Sequence, residues 1–375
     1  MLSRNIASDQ RPAAERVWRA VERRTASTAL TCSWDWTETW LAHYGDVVPH
    51  RFVVGVVDGE DRGIALVTES ADRYPPWVGL RQAHVGTAGE PGGEGVYVER
   101  NRLLVADGDR DAFAAVLLAN LVRDRRWDRL VIPGLHVADA ESFRRASPRL
   151  VLAPQESPIA ELTGAGTGDP LELLSARPRR RARRALEGLA PLETEWAQTS
   201  AQGHDVMSEL VALHQRRWID AGEPGKFASA RFARFHRALI DRLGPGRGVI
   251  LVRVRRDGAT IGCVYGLVED REVLFYQSGL RRHEDNKLNV GLAVHVCAMR
   301  ACVEHGLRAY DFLAPATRYK QDLSTRANTL VWASLGRNRP RTYLDTALRE
   351  LRSRLPASAR GAASGRGVNG TASRA

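Results

Sequence analysis

Between residues 272 and 320 the chain reads as a strand (EVLFYQSGL), a turn, a long helix (LAVHVCAMRACVEHG), a short second strand (YDFL) and a Tyr-Lys pair. A strand, a helix and a returning strand commit the chain to a parallel strand pair crossed by a helix, since such crossovers have one hand. The helix start then faces the mouth of the sheet. There its free N–H groups and dipole favour an anion. Chemistry in this chain is expected at that place.

The segment closes a longer plan. Residues 205–220 are predicted helical, and Ser229 caps a second helix whose Phe232, Phe235, Leu239 and Leu243 step by three and four. Residues 249–255 (VILVRVR) meet 259–268 across Asp257-Gly258, a strong hairpin signal, and 271–278 adds a third strand. The crossover helix is expected over residues 289–305, with Leu292, Val296, Met299 and Val303 on one face and Gly306 at its C-cap. Residues 308–313, a last strand at 328–335 and a terminal helix at 342–355 complete the half.

The first half repeats this order of elements less crisply. Helices are predicted at 13–24 and 35–44, the second capped by Ser33, then a hairpin of 51–58 and 62–69 around a Gly-Glu-Asp turn. A Gly- and Pro-rich loop is expected over 70–95, a strand at 97–105, a helix at 111–125 and a strand at 127–132. The fold class is therefore α/β with a mixed sheet, in two tandem domains of which the second is better formed. The expected divisions are 1–165, a basic connecting segment at 166–200, 201–355, and a disordered tail at 356–375.

The net charge of +11 suits an anionic ligand. Arginine supplies nearly all of it; Lys226, Lys287 and Lys320 are the lysines. Arg177, Arg179, Arg180, Arg181, Arg183 and Arg184 form a run that reads either as a solvated connecting helix or as a contact with phosphates. No aromatic residue interleaves it, so base stacking is not indicated. Cys32, Cys263, Cys297 and Cys302 have neither disulfide nor metal spacing, and no metal site is expected. No apolar run of about 18 residues and no signal-peptide pattern is present, so a cytoplasmic location without a membrane span is expected.

LHQRRW (213–218), Gly222, FHRAL (235–239), YQSG (276–279), Gly291, YDFL (310–313) and RYKQDLST (318–325), in that order, resemble the GNAT acyltransferase superfamily. They are most similar to the GNAT-like acetyltransferases associated with cellulose and exopolysaccharide biosynthesis. The doubled plan is shared with FemAB-like aminoacyltransferases. SWDWTETWLAHYG and the first hairpin extend the resemblance into the first half. It implies two GNAT-like domains, the first a degenerate copy, and a cofactor whose pantetheine lies between splayed strands 272–278 and 308–313. It places Gln277, Ser278 and Gly279 beside that cofactor, with Lys287, Asn289 and Gly291 at the helix start that holds the pyrophosphate. The co-substrate it implies is acetyl-CoA or another acyl-CoA, without a metal.

Acyl transfer needs a group to take the acceptor's proton, a donor to the carbonyl oxygen and an acid for the thiolate. Asp311 reads either as the base or acceptor-orienting carboxylate, or as a structural acceptor fixing the following loop. Lys320 suits a phosphate or developing oxyanion, or else a surface salt bridge. Tyr276 reads as the acid for the thiolate or as core packing. Strand alternation sends Tyr276 and Gln277 to opposite faces. Arg217, Trp218 and Tyr319 are the candidates for holding the acceptor, and His214, His236, His295 and His305 are taken as structural. No activated nucleophile stands out, so direct transfer to an amine or hydroxyl of a sugar or small metabolite is expected. Two rivals stand beside it: an aminoacyl-tRNA-dependent transferase, with tRNA on the arginine run, and a non-catalytic binding protein on a GNAT scaffold.

Overall fold

The computed structural model describes residues 1–72, 79–92, 94–164, 168–282 and 288–354. Contacts divide the chain into two compact units: Met1–Pro154 with the segment from Leu330 on, and Gln155–Thr329.

The first unit runs β1 (Leu2–Ala7), α1 (Arg11–Glu22), α2 (Trp34–Tyr44), β2 (His50–Val57), β3 (Glu60–Asp72), β4 (Leu80–Val85), β5 (Leu104–Val105), α3 (Arg110–Arg123), β6 (Arg129–His136) and α4 (Val137–Ala146). β7 (Val151–Glu161) carries the chain into the second unit. There α5 (Ala176–Leu189), β8 (Glu193–Trp196), α6 (Ser200–Asp220), α7 (Ala230–Leu243), β9 (Val249–Arg256), β10 (Ala259–Glu269), β11 (Glu272–Leu280), α8 (Val290–Glu304), β12 (Ala309–Asp311) and α9 (Arg318–Leu323) follow. β13 (Arg326–Gly336) and α10 (Pro340–Arg354) return to the first.

The strands of the first unit lie in the order β1-β2-β3-β4-β6-β13, with β5 on β3. Those of the second lie in the order β7-β12-β11-β10-β9-β8. Each unit is an antiparallel meander joined through a helix to a parallel strand: β4 pairs β6 and β11 pairs β12 in parallel. The expected mixed α/β architecture is what the chain adopts. Asp58-Gly59 and Asp257-Gly258 take left-handed φ values of 51°, 84° and 51°, 73°. Two such residues in succession match the twist of a two-residue hairpin. The first turn is thus Asp58-Gly59, and the strand resumes at Glu60, earlier than the Gly-Glu-Asp reading placed it.

Several elements differ from expectation. The strand expected over 97–105 contracts to Leu104–Val105, and the loop expected over 70–95 contains β4. LRQAHV has little strand pattern of its own; it becomes a strand because β3 and β6 pair with it on both edges. β1, α4, β7 and β8 likewise form where partners supply the ladder or the core.

The division between the units also falls elsewhere. The arginine run is not a connector but α5, whose Ala182, Ala185 and Leu189 step along one face into the core formed with Val290, Val294 and Met299 of α8. At the other end, β13 pairs β6 from Leu330↔His136 to Gly336↔Arg129, which returns the chain to the first unit after Thr329. The expected tail at 356–375 lies outside the described residues.

Candidate functional site

In the second unit β11 and β12 pair only at Glu272↔Ala309, Val273↔Tyr310 and Leu274↔Asp311. β11 then continues to Leu280 against β10 alone, while β12 turns toward β7, Phe312 N donating to Pro158 O at 2.9 Å. The strands therefore part after Leu274 and Asp311, and β11 beyond Leu274 has no strand on that edge among the described residues.

A buried polar network holds β12 in its turned course. Asp311, 1% exposed, accepts from Ser157 Oγ at 2.6 Å and from Leu313 N at 2.8 Å. Leu313 sits at φ 60°, a strained region for a branched residue. Lys320, 6% exposed, donates to the Leu313 carbonyl at 2.8 Å. Asp311 and Lys320, two of the three residues expected from sequence to be catalytic, thus point their charges into the protein and secure the loop after β12, as the structural reading of Asp311 expected.

On β11, Gln277 stands opposite Tyr265 and Phe275 opposite Gly266, so Tyr276 is the extra residue of a β-bulge. The bulge resets the alternation. Tyr276 packs its ring against His236 of α7 at 4.6 Å and Tyr265 at 5.8 Å. Gln277, as the cross-strand partner of Tyr265, shares that face. The expectation that Tyr276 and Gln277 point oppositely is overturned, because alternation holds only for unbulged strands. Ser278 lies opposite Val264, on the α8 side.

His236 was read from the sequence as structural, with no indication of its partners. It is fully buried, its Nδ1 is 3.3 Å from the Tyr265 hydroxyl, and its Nε2 has no hydrogen-bond partner. Burial pushes its pKa down to about 3, so the ring is neutral. No spacing signal in FHRAL could have revealed this, since only the fold brings α7 under β11.

Gly279 is a packing position: a Cβ there would lie 2.3 Å from Leu210 O, so α6 passes directly over the strand. At the start of α8, the Asn289 side chain accepts from Leu292 N at 2.9 Å and caps the helix. Gly291 lies in its first turn, where a Cβ would approach Leu280 Cδ1 to 3.1 Å. Lys287 lies outside the described residues.

Arg217 is exposed and Trp218 half-buried near the end of α6. Burial pushes the Tyr319 phenol up to about 12, and the charge of Arg217 pulls it back, so these two candidates lie within electrostatic reach. Tyr319 stacks on His295 at 5.6 Å, and His295 Nδ1 meets the Tyr310 hydroxyl at 3.1 Å. Burial, helped by Lys320, takes His295 down to about 3. His214, beside Trp218 at 5.9 Å, is buried and pushed down to about 4 by burial. The neutral core reading of these histidines agrees with their surroundings.

The first unit has the same parallel pair without the same opening. After Gln82↔Arg129, Ala83↔Leu130 and His84↔Val131, the chain itself enters the gap. Asn101 bridges Leu135, taking Gly134 O at 2.8 Å and supplying its carbonyl to His136 N at 3.0 Å, while its side chain donates to Val85 O at 3.1 Å.

Residues 176–321 match the family model described as an acetyltransferase (GNAT) domain, a span inside the second unit from the start of α5 into α9. Among solved structures, FemX has a TM-score of 0.56 at 13% identity over 92% of this chain and 99% of its own. The C-terminal domain (DUF2156) of a putative lysylphosphatidylglycerol synthetase from Agrobacterium fabrum has a TM-score of 0.51 at 14% identity, covering 90% and 95%. L-PGS from Bacillus licheniformis has 0.50 at 10%, covering 91% and 97%. No curated protein matches the chain. The family match lies within the second unit, and the structural likenesses extend the fold to most of the chain. No described helix is long and apolar enough to cross a membrane.

Proposed function

We propose that the second unit transfers an acyl group, acetyl from acetyl-CoA as the leading donor, directly to an amine or hydroxyl of a sugar or small metabolite. The observation that carries this reading is the end of the β11–β12 ladder at Leu274 and Asp311. It leaves a length of β11 with no neighbouring strand on that edge among the described residues, along which an extended amide-bearing arm can lie as an added strand. The first turn of α8, with Asn289 and Gly291, is the place for its phosphates.

In this reading the acceptor's nitrogen or oxygen attacks the thioester carbonyl, the carbon–sulfur bond breaks, and the acceptor's proton passes to solvent, from which Tyr276 is reprotonated after each turnover. Tyr276 returns a proton to the departing thiolate. Gln277, on the same face, orients the acyl group. Arg217, Trp218 and Tyr319 hold the acceptor. Asp311 and Lys320 act as positioning residues that keep the loop after β12 clear of the edge. The first unit, its corresponding gap filled by Asn101, is the degenerate copy and binds no acyl donor.

Calorimetry with acetyl-CoA tests this. Saturable heat at one equivalent per chain is expected, and its absence at millimolar ligand with a folded protein sinks the proposal. A second reading has a specific observation behind it. Arg177, Arg180 and Arg184 lie exposed along one stripe of α5, at spacings of three and four, as a donor carried on RNA would require. Donor binding that falls steeply with salt would favour that reading.

A further inference from the structure

The first unit contains a cavity of about 390 Å³ lined by Arg102, Arg110 and Arg145, with Asp107, Gly108 and Asp111. That is within the size range of small-molecule sites, about 300–1,000 Å³. Nothing in the acyl-transfer reading uses it.

Its charges are arranged unequally. Asp139, 1% exposed, lies behind the cavity and takes Arg110 by Nε at 3.0 Å and Arg102 by Nε at 3.7 Å. One carboxylate therefore anchors two guanidinium groups by the same inner atom. Each guanidinium approaches Asp139 most closely through Nε rather than through its Nη edge. Asp139 Oδ2 has no hydrogen bond at all. Arg145, by contrast, is neutralised by Asp111 at 2.6 Å and bonds Ser142 Oγ at 3.1 Å. Asp107 stands exposed at the rim. Beside the arginines, α3 begins without a side-chain cap, because Asp109 turns instead to Arg62 Nε at 2.7 Å.

We propose that this cavity is a binding site for a small phosphate monoester. The Nη edges of Arg102 and Arg110 take the phosphate as two forks preset by Asp139, and the rim carboxylate of Asp107 accepts from hydroxyl or amine groups on the organic part. A guanidinium held at Nε keeps its outer edge for a bidentate oxyanion contact, and such charge-assisted bonds are about twice as strong as neutral ones. The site belongs to the first unit and is lined by residues that the acyl-transfer reading does not use.

Calorimetry on the full chain with inorganic phosphate and with glycerol 3-phosphate tests it. Both should bind saturably at one site, glycerol 3-phosphate more tightly. The double variant R102Q/R110Q should weaken both by about tenfold or more. Since Asp139 would then lose both partners and the unit could unfold, R102K/R110K is the second variant. It keeps the charges but loses the forks, and should weaken binding several-fold with the melting temperature retained. Absence of saturable heat from the unmodified chain at millimolar probe overturns the proposal. So does phosphate binding that R102K/R110K leaves unchanged.

Discussion

Asp311 and Lys320 grip the two polar groups of a single residue. Asp311 Oδ1 accepts the Leu313 N–H, and Lys320 Nζ donates to the Leu313 carbonyl, each at 2.8 Å. Together they hold Leu313 in a left-handed conformation and turn the chain away from β11. Among the described residues β11 lacks a strand on that edge beyond Leu274, where β12 has turned away to β7.

Replacing either residue removes a buried charge-assisted hydrogen bond to Leu313, a loss that typically costs about 1.5–3 kcal/mol. D311N and K320M should each lower stability by amounts of that order. The double variant should lose less than their sum, because both residues hold the one turn at Leu313. Urea unfolding of the four proteins measures the coupling. Additive losses would show that the two residues act independently.

Under the proposed function Tyr276 is the acid for the thiolate, so Y276F should lower kcat by about 10²-fold, as loss of a general acid does. Its melting temperature should stay near that of the unmodified protein, since the ring contacts with His236 and Tyr265 remain. Thiol release from acetyl-CoA in the presence of an accepted amine reads the rate.

R217A should raise KM for an anionic or hydroxylated acceptor while leaving kcat within a few-fold. Loss of binding that is uniform between ground and transition state moves KM alone. Steady-state kinetics with varied acceptor provides the check, and a fall in kcat with KM unchanged would assign Arg217 to the chemical step.

G279A forces a Cβ to within 2.3 Å of the Leu210 carbonyl on α6. The helix must shift off the strand, which should cost about 1–3 kcal/mol. A lower melting temperature, with acetyl-CoA binding weakened in step, is expected. An unchanged melting temperature would mean that α6 is not packed tightly on β11.

His214, His236 and His295 have pKa values held down at about 4, 3 and 3, against about 6.5 in an unfolded chain. Their neutral forms belong to the folded state, so the unfolded state binds more protons between these values. Stability should be complete above about pH 6.5 and fall as the pH drops toward 4, by about 1.4 kcal/mol per pH unit for each histidine. Urea midpoints between pH 8 and 4 test the slope, and H236F should make it shallower by one histidine's share.

The sequence by itself determined the order of elements in the second half, the Asp257-Gly258 hairpin, the Ser229 cap and the crossover over residues 272–311. Those signals are local: turn chemistry, caps and periodicity act within a few residues of chain. The tertiary structure alone decided where the units divide, because β13 takes its partner from β6, some 200 residues earlier. It also decided which way site side chains point. A bulge at Tyr276 is a mismatch in length between two strands, invisible in either strand alone. The sequence left Asp311 and Lys320 open between reactive and structural roles, and they are internal fasteners because the fold brings Ser157 and Leu313 to them. Residue type set which chemistry was available, and long-range pairing set which groups were left to perform it.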